Sequence, residues 1–367
     1  MESKKKGTVL IILGLLVFLM IVCSILWGGK TKVETKKIGF ILSGSAEEHG
    51  WNGMHYEGFK ASCEKLGVEM LVKENINEFT GECETAIHEL VDEGASMIVL
   101  SSYGYSEEVY DVVQQYPEIV FYGNSSEYHS KNMTSYFCRM YQARYMAGII
   151  AGMKTQTKEI GYVAAMENNE VNRGINAFTL GVKSVNPDAS VHVIWTNSWD
   201  DEERETKAAK TLIETVGVDV ITYHQNQDYV IQEAERQGIY SIGYHVALEG
   251  MSQKYLTSVV CKWELLYEEI IKQYLQGNAN SIKNYWIGID SKYDVVGLSK
   301  FSEEITPDIA EKVEETLSMM HAGKDIFSGV IYDNLGNLRC EDGEIIRDEI
   351  LLEQFDWFVA GVEIYEE

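Results

Sequence analysis

The sequence has little proline and no short cysteine motif. Its 367 residues include only three prolines, so no proline-rich linker separates the two halves of the chain. None of the six cysteines stands in a C-x-x-C pair, and no cysteine–histidine cluster has the spacing of a zinc site. A chain of this length can bury a sufficient core without a disulfide scaffold. We therefore expect no structural metal, and cysteines that serve mainly as small buried apolar side chains.

Basic residues are scarce relative to acidic ones. The chain has 31 Lys and Arg against 57 Asp and Glu, which gives a formal net charge of −26 at pH 7. Such a surface repels the phosphates of DNA and RNA, so nucleic acid is not an expected partner. Catalytic motifs are missing too, since neither G-x-S-x-G nor G-x-G-x-x-G occurs and His88-Glu89 lacks the second histidine of a zinc protease. We expect neither an enzyme nor a cofactor.

A hydrophobic segment stands near the N-terminus. Three lysines at positions 4–6 precede an apolar run over residues 9–27, which is long enough to span a bilayer core. One interpretation is a lipoprotein signal that is cleaved before Cys23 and lipidated there, although Val22 is larger than the small residue such signals prefer. The other is an uncleaved signal anchor. Both interpretations make residues 1–36 a membrane tether and put the rest of the chain at the extracytoplasmic face of the cell membrane.

Beyond this segment, short β-rich runs alternate with helical patterns. The alternation begins with a strand over residues 38–42 and a helix over Trp51–Leu66, and it restarts after a helix over residues 142–153. Repeated β–α units predict an α/β fold of parallel sheets flanked by helices. The length fits two Rossmann-like lobes joined by a hinge. We expect the chain to cross between the lobes near residues 137–139 and to return near residues 256–258.

These crossings predict two discontinuous lobes. Residues 37–138 and 257–290 form lobe 1 in this prediction, and residues 139–256 and 291–367 form lobe 2. The tail of the chain is predicted to hold one long helix over residues 308–322 and a hairpin around residues 333–336. The sequence alone leaves open which lobe the tail joins.

Aromatic and hydrogen-bonding side chains follow the predicted strands of both lobes. In open parallel sheets, ligands bind outside the carboxyl ends of the strands, so these residues form the candidate site. Trp51 and Trp199 lie at matching strand ends of opposite lobes and are suited to stacking on a flat ring. His224 and His245 also follow strands, although each could equally be a structural histidine. Further candidates at strand ends are Glu48, Tyr103, Tyr105 and Tyr244. This composition is typical of a site for a flat polar heterocycle.

Several segments together carry a resemblance to one family. They are His49-Gly50-Trp51, residues 141–148, residues 160–165, residues 173–178, residues 185–188, residues 195–199, residues 242–245, and residues 256–260 with Trp263 behind them. From about Ile38 to its end, the chain resembles the basic membrane protein (BMP) family. These are substrate-binding proteins of ABC importers and include purine nucleoside receptors. The resemblance implies a type I periplasmic-binding-protein fold, in which two lobes close over a ligand at a hinge.

The resemblance also implies roles for single residues. In the nucleoside receptors of this family, an aromatic side chain from each lobe holds the purine, and these positions fall on Trp51 and Trp199. The aspartate and lysine that usually hold the ribose correspond here to His245 and Cys261. The resemblance therefore implies that the ribose clamp is absent.

The sequence is similar instead to a branch of the family that is associated with free, adenine-like nucleobases. This likeness rests on His224, the pair Tyr244-His245 and Trp263. Two positions depart from the branch, which tends to have an aspartate at position 48 and a glutamate at position 142. We expect the ligand to be a purine base, with a purine nucleoside as the alternative.

The expected function is that of a membrane-tethered extracytoplasmic receptor, monomeric, which delivers its ligand to an ABC permease. The candidates for hydrogen bonds to the edge of the ligand are His224, His245 and Asn176. The candidates for the pocket wall are Tyr103, Tyr105 and Trp263. A tethered sensor with the same ligand is the alternative that the sequence leaves open. A nucleoside hydrolase would need an aspartate cluster for calcium and a repressor would need a helix-turn-helix, and we find neither in the sequence.

Overall fold

The computed structural model describes residues 35–125, 128–279, 281, 284–290 and 294–365. The predicted membrane segment and Cys23 lie outside these residues. Among the helices that the structure does describe, none combines the length and the apolar character needed to cross a membrane. The chain divides into two units between Lys36 and Lys37, and all the strands and helices named here belong to the second unit.

Strands and helices alternate along this part of the chain. The strands are β1 (Lys37–Ile41), β2 (Glu69–Lys73), β3 (Ala95–Leu100), β4 (Val120–Asn124), β5 (Met133–Cys138), β6 (Glu159–Ala164), β7 (Ser190–Trp195), β8 (Val220–His224), β9 (Tyr240–His245), β10 (Tyr255–Cys261), β11 (Asn284–Ile287), β12 (Val296–Leu298), β13 (Ile331–Tyr332), β14 (Leu338–Cys340) and β15 (Val362–Ile364). The helices are α1 (Trp51–Leu66), α2 (Glu82–Asp92), α3 (Tyr105–Glu108), α4 (Tyr110–Val113), α5 (Met140–Lys154), α6 (Asn169–Val185), α7 (Glu202–Thr211, continued by a π-helical turn, Leu212–Val216), α8 (Tyr229–Gln237), α9 (Trp263–Leu275), α10 (Pro307–His321) and α11 (Asp348–Glu353).

Each lobe is built on one sheet, and five parallel strands of each sheet have the same order, β5-β4-β3-β1-β2 in lobe 1 and β10-β9-β8-β6-β7 in lobe 2. The described strands of lobe 1 run β11-β5-β4-β3-β1-β2, and those of lobe 2 run β12-β10-β9-β8-β6-β7-β15. Every neighbouring pair is parallel except β10 and β12. The strands β5 and β8 are buried along their whole length, as strands of a parallel sheet covered on both faces are. The predicted α/β fold of two parallel-sheet lobes is confirmed.

The crossings between the lobes differ in one place from the prediction. The first crossing follows β5 at Cys138 and leads through Arg139 into α5, within the predicted residues. The return, predicted near residues 256–258, comes instead after Cys261, because β10 pairs in parallel with β9 and belongs to the sheet of lobe 2. Residues 257–261 were assigned to lobe 1 by the sequence pattern, and their pairing corrects that boundary. From Trp263 onward α9 packs against α1 of lobe 1.

The C-terminal tail joins lobe 2. The strand β15 pairs in parallel with β7, and α10 packs against α5. Polar side chains of α6 hold the segment before β15: Asn172 Nδ2 donates to the carbonyl of Phe355 at 3.1 Å, and an Arg173 N–H donates to the carbonyl of Leu351 at 2.6 Å. The predicted hairpin is the antiparallel pair β13–β14, which turns at Gly336 with φ +86°.

Helices α5 and α6 pack with their backbones almost in contact. A Cβ atom built on Gly148 of α5 would lie 2.0 Å from the carbonyl oxygen of Phe178, and one on Gly181 of α6 would lie 2.0 Å from that of Tyr145. Only glycine tolerates such an approach. The two helices flank the sheet of lobe 2, and α6 also carries residues of the site described below.

We predict that Gly148→Ala lowers the free energy of unfolding by about 1–3 kcal/mol, because the added methyl group forces the two backbones apart. Urea denaturation followed by circular dichroism measures the change. The matched control is Gly297→Ala in β12, where a Cβ atom would meet nothing within 4 Å. Equal stability of the two variants would contradict the proposed packing constraint.

Candidate ligand-binding site

A cavity of about 290 Å³ lies between the carboxyl ends of the two sheets. Lobe 1 contributes residues at or after the ends of β1, β2, β3 and β4, and lobe 2 contributes residues at or after the ends of β6, β7, β8 and β9. The strand order reverses beside β1 in lobe 1 and beside β6 in lobe 2, and such a reversal leaves a crevice at the carboxyl ends of the strands. The lobes touch at the rim of the cavity, since a Cβ atom on Gly50 would lie 1.9 Å from the carbonyl oxygen of Asn226 in the other lobe.

Trp51 is a rigid part of the wall on the side of lobe 1. It is the first residue of α1, it is 8% exposed, and its indole Nε1 donates to the carbonyl oxygen of Ser101 at 3.0 Å. The ring of Trp263 packs edge-on against it with centroids 5.5 Å apart, and that of His245 does so at 4.8 Å. These contacts fix the orientation of the indole before any ligand arrives.

Trp199 lines the cavity from lobe 2 and is half-buried. It stands in the loop after β7, where its carbonyl oxygen accepts the backbone N–H of Asn226 at 2.9 Å. The hydroxyl of Thr196 donates to the carbonyl of Ser198 at 2.8 Å and accepts from Gln225 Nε2 at the same distance. The loop is therefore pinned to the residues that follow β8, and Trp199 keeps more freedom than Trp51.

The polar floor of the cavity centres on His224 and Glu170. Glu170 lies in the first turn of α6, is 7% exposed, and places Oε1 at 3.6 Å from His224 Nε2. Burial lowers the pKa of His224 from 6.5 to about 4, although the hydrogen bond and charge of Glu170 act in the opposite direction. His224 is therefore neutral at pH 7 and its contact with Glu170 is not an ion pair.

His245 has an unusual backbone. Its φ is +66°, in the left-handed region that costs energy for a residue with a Cβ atom, and such residues cluster at functional sites. Burial lowers the pKa of His245 well below its ordinary value, and the neighbouring His224 and His55 add to this effect. The ring is therefore neutral too.

Four buried polar atoms of residues that line the cavity have no partner within the described part of the protein. They are Asn124 Nδ2, His224 Nδ1, Gln225 Oε1 and His245 Nδ1. Leaving a buried donor or acceptor unpaired costs about 1–3 kcal/mol. A ligand that offers both an acceptor and a donor at its edge would satisfy them.

The cavity carries negative charge. Four carboxylates line it, those of Glu48, Glu78, Glu170 and Asp200, and no lysine or arginine of the described residues does so. Burial raises the pKa of Asp200, and the charge of Glu48 raises it further. Glu48 accepts from the backbone N–H of Ser45 at 2.8 Å and from Asn52 Nδ2 at 2.9 Å, so its carboxylate is held in place. An anionic ligand would meet these carboxylates, and the described residues of the lining offer it no cation to pair with.

Six of the predicted site residues line this cavity. They are Glu48, Trp51, Tyr103, Trp199, His224 and His245. They come from both lobes and follow or end different strands, as expected for a site at the carboxyl ends of parallel strands. The geometry brings the two tryptophans and the two histidines to one cavity.

The other four predicted residues lie elsewhere. Tyr105 is buried in the core of lobe 1 and donates its hydroxyl to the carbonyl of Ile76 at 2.5 Å. Asn176 holds the tail, with Nδ2 donating to the carbonyl of Trp357 at 2.8 Å and Oδ1 accepting from the N–H of Val359 at 2.9 Å. Both side chains are thus occupied by the fold and do not reach the cavity.

Trp263 and Tyr244 lie behind the wall. Trp263 is 1% exposed and supports Trp51 and His55 from behind, with its centroid 3.7 Å from that of His55. Tyr244 is buried beneath the Arg144 guanidinium, whose carbon lies 3.7 Å from the ring centroid. These two residues act on the cavity through the residues that line it.

Sequence reasoning missed Glu170, Asn124 and Gln225. Glu170 lies in the segment that follows β6, and β6 stands between β8 and β7 in the sheet. A search of the residues after every predicted strand would therefore have included it. Asn124 is the last residue of β4, and Gln225 directly follows His224. None of these residues belongs to a recognisable motif.

Comparisons with known proteins find similarity along most of the chain. Residues 35–322 match the family model described as ABC transporter substrate-binding protein, PnrA-like. A purine-binding protein of Brucella abortus is 34% identical over 347 residues, which cover 93% of this chain and 97% of that protein. A protein of Haloferax volcanii, named as a candidate ABC transporter glucose-binding protein, is 28% identical over 339 residues, with 92% and 82% covered.

Similarity to solved structures concerns the fold. An ABC transporter solute-binding protein from Aeropyrum pernix K1 superposes with a TM-score of 0.64 at 20% sequence identity. The match covers 78% of this chain and 92% of that one. The two-lobed architecture is thus one that other solute-binding proteins share.

We predict that His224→Gln makes folding stability less sensitive to acid. Between pH 6.5 and 4 the unfolded chain protonates this histidine and the folded protein does not, so the free energy of unfolding falls as the pH falls. Removing the group should reduce the loss between pH 7.5 and 5.0 by up to about 2 kcal/mol. Urea denaturation at the two pH values measures it, and an unchanged loss would show that folding does not lower the pKa of His224.

Proposed function

The chain belongs to the PnrA-like family of ABC transporter substrate-binding proteins, and we propose that it captures a purine nucleobase, adenine-like, in the cavity between its lobes. The observation that carries this proposal is the lining of that cavity by a tryptophan from each lobe together with unpaired polar atoms. A purine ring has two apolar faces and a polar edge, so both kinds of wall have a counterpart on the ligand.

The faces of the ring would stack on Trp51 and Trp199. Stacking of a base on an aromatic side chain is worth about 1–3 kcal/mol. Trp51 is held by its hydrogen bond to Ser101 and by Trp263, so it loses little freedom on binding. Trp199 stands on a loop and is the side chain that can adjust to the ligand.

The edge of the ring would meet the unpaired groups. Ring nitrogens of a purine accept hydrogen bonds, which suits Asn124 Nδ2, and its N–H and amino groups donate, which suits Gln225 Oε1 and the carboxylate of Glu170. Neutral His224 and His245 can each donate or accept according to tautomer. A ligand whose edge does not match these donors and acceptors would leave buried groups unpaired, and that energetic cost gives the site its selectivity.

Charge and size narrow the choice of ligand. Four carboxylates without a lining cation among the described residues disfavour nucleotides, since a phosphate would be repelled. The volume of about 290 Å³ is near the lower end of small-molecule sites, which run from about 300 to 1,000 Å³. Cys261, at the position where the family resemblance implies a ribose-binding lysine, is buried and does not line the cavity. These features favour a base over a nucleoside.

The ligand would pass to an ABC permease. The family match favours delivery to a permease over signalling by a tethered sensor, because the family consists of transporter substrate-binding proteins. We propose that a monomer works at the extracytoplasmic face of the cell membrane, held there by the N-terminal segment or by a lipid on Cys23. Lobe closure would hide the ligand, and the apparent affinity would depend on the fraction of the protein in the closed form.

Calorimetric titration of the full chain in mild detergent tests the proposal. We expect adenine to bind, adenosine to bind more weakly, and AMP to give no measurable heat of binding. Adenosine and AMP form the matched pair, because they differ only in the phosphate that the carboxylates repel.

D-Glucose serves as the comparison from another ligand class, since sugars also stack on tryptophan. Binding of glucose with no response to any purine would overturn the proposed ligand. Binding of AMP as tight as that of adenosine would overturn the electrostatic argument. Intact mass spectrometry of protein and released small molecules, before the titrations, shows whether the cavity was already filled.

A further inference from the structure

Two cysteines meet where the chain crosses between the lobes. Cys138 is the last residue of β5 in lobe 1, and Cys261 is the last residue of β10 in lobe 2. Each is followed by a single residue and then by a helix of the opposite lobe. The two Sγ atoms lie 2.7 Å apart, although 123 positions separate the residues in the sequence.

The surrounding hydrogen bonds mark this place as the hinge. The backbone N–H of Arg139 donates to the carbonyl of Ile287 at 2.8 Å, and that of Lys262 donates to the carbonyl of Val295 at 2.7 Å. Ile287 ends β11 in lobe 1, and Val295 precedes β12 in lobe 2. The residues that follow the two cysteines are thus bonded to one segment of each lobe.

The contact between the sulfur atoms is close to bonding distance. A disulfide bond is about 2.05 Å long, and the observed separation is only about 0.7 Å greater. Cys138 is fully buried and Cys261 is 3% exposed, so solvent does not reach either thiol in this conformation. The structure holds both as free thiols.

We propose that Cys138 and Cys261 are a redox modification site, at which a reversible disulfide ties the two lobe crossings together. The oxidant is a low-molecular-weight disulfide. One cysteine, as thiolate, attacks the oxidant and forms a mixed disulfide, releasing one small thiol. The second cysteine then attacks the protein sulfur of that mixed disulfide and releases the second small thiol. Two protein thiols are oxidised, one small disulfide is reduced, and the two protons leave with the small thiols.

The closed lobes slow this reaction and the open lobes allow it. Burial raises the pKa of both thiols, so little thiolate is present while the crossings are packed. Separation of the lobes admits the oxidant. Once formed, the bond joins the end of β5 to the end of β10 and restricts the relative movement of the crossings. The inference concerns the hinge and does not depend on which ligand the cavity takes.

The experiment incubates the folded full chain, in mild detergent, with oxidised glutathione at pH 8. Unreacted thiols are then alkylated under denaturing conditions, and peptide mapping identifies the linked residues. We expect more than half of the protein to contain a Cys138–Cys261 peptide that dithiothreitol releases. Cys63 and Cys83 are the matched controls, because they are equally buried free thiols, and we expect both to be alkylated.

Hydrogen exchange of the oxidised and reduced protein tests the effect on the hinge. We expect the backbone amides of Arg139 and Lys262 to exchange at least several-fold more slowly in the oxidised form, and Cys138→Ser to abolish that difference. Alkylation of both cysteines, glutathione adducts without a linked peptide, or a different pairing would overturn the proposed site. A linked peptide together with unchanged hydrogen exchange at Arg139 and Lys262 would show that the disulfide does not restrict the lobe crossings.

Discussion

The constraint on which the site depends is that two parallel sheets direct their carboxyl ends into one gap. Strand order gives each lobe its crevice, because in both lobes the order reverses beside the first strand of the sheet. The contact of Gly50 with Asn226 then brings the two rims together. Trp51 and Trp199 are separated by 148 positions in the sequence, yet line one cavity for this reason.

Burial sets the chemical character of that cavity. The buried histidines are neutral because the protein interior disfavours their charged form. Carboxylates line the wall, and two buried arginines have other partners: Arg144 lies over Tyr244, and Arg173 donates to the carbonyl of Leu351. The cavity thus combines aromatic rings, neutral hydrogen-bonding groups and carboxylates, a lining that suits the uncharged heterocycle that we propose as its ligand.

The sequence predicted the two parallel-sheet lobes. It predicted residues of the cavity lining only where their place after a strand puts them there. Alternating strand and helix patterns are local, and Trp51 and Trp199 were predicted because they lie in the segments that follow strands. Asn176 and Tyr105 do not reach the cavity because the fold uses their side chains. Asn176, in the middle of α6, holds the tail, and Tyr105 donates a hydrogen bond to the carbonyl of Ile76. The chain returns to lobe 1 only after Cys261, because β10 pairs with β9 in the sheet of lobe 2. The periodicity of a sequence does not indicate which strands pair.

Calorimetric titration of Trp51→Ala and Trp199→Ala with adenine shows whether one indole from each lobe holds the planar ligand. Each substitution should weaken binding by about 1–3 kcal/mol. Trp195→Ala is the control, because that ring packs against Phe358 and does not line the cavity. Folded variants of Trp51 and Trp199 that bind adenine as tightly as the unaltered chain would show that the two indoles do not hold the ligand.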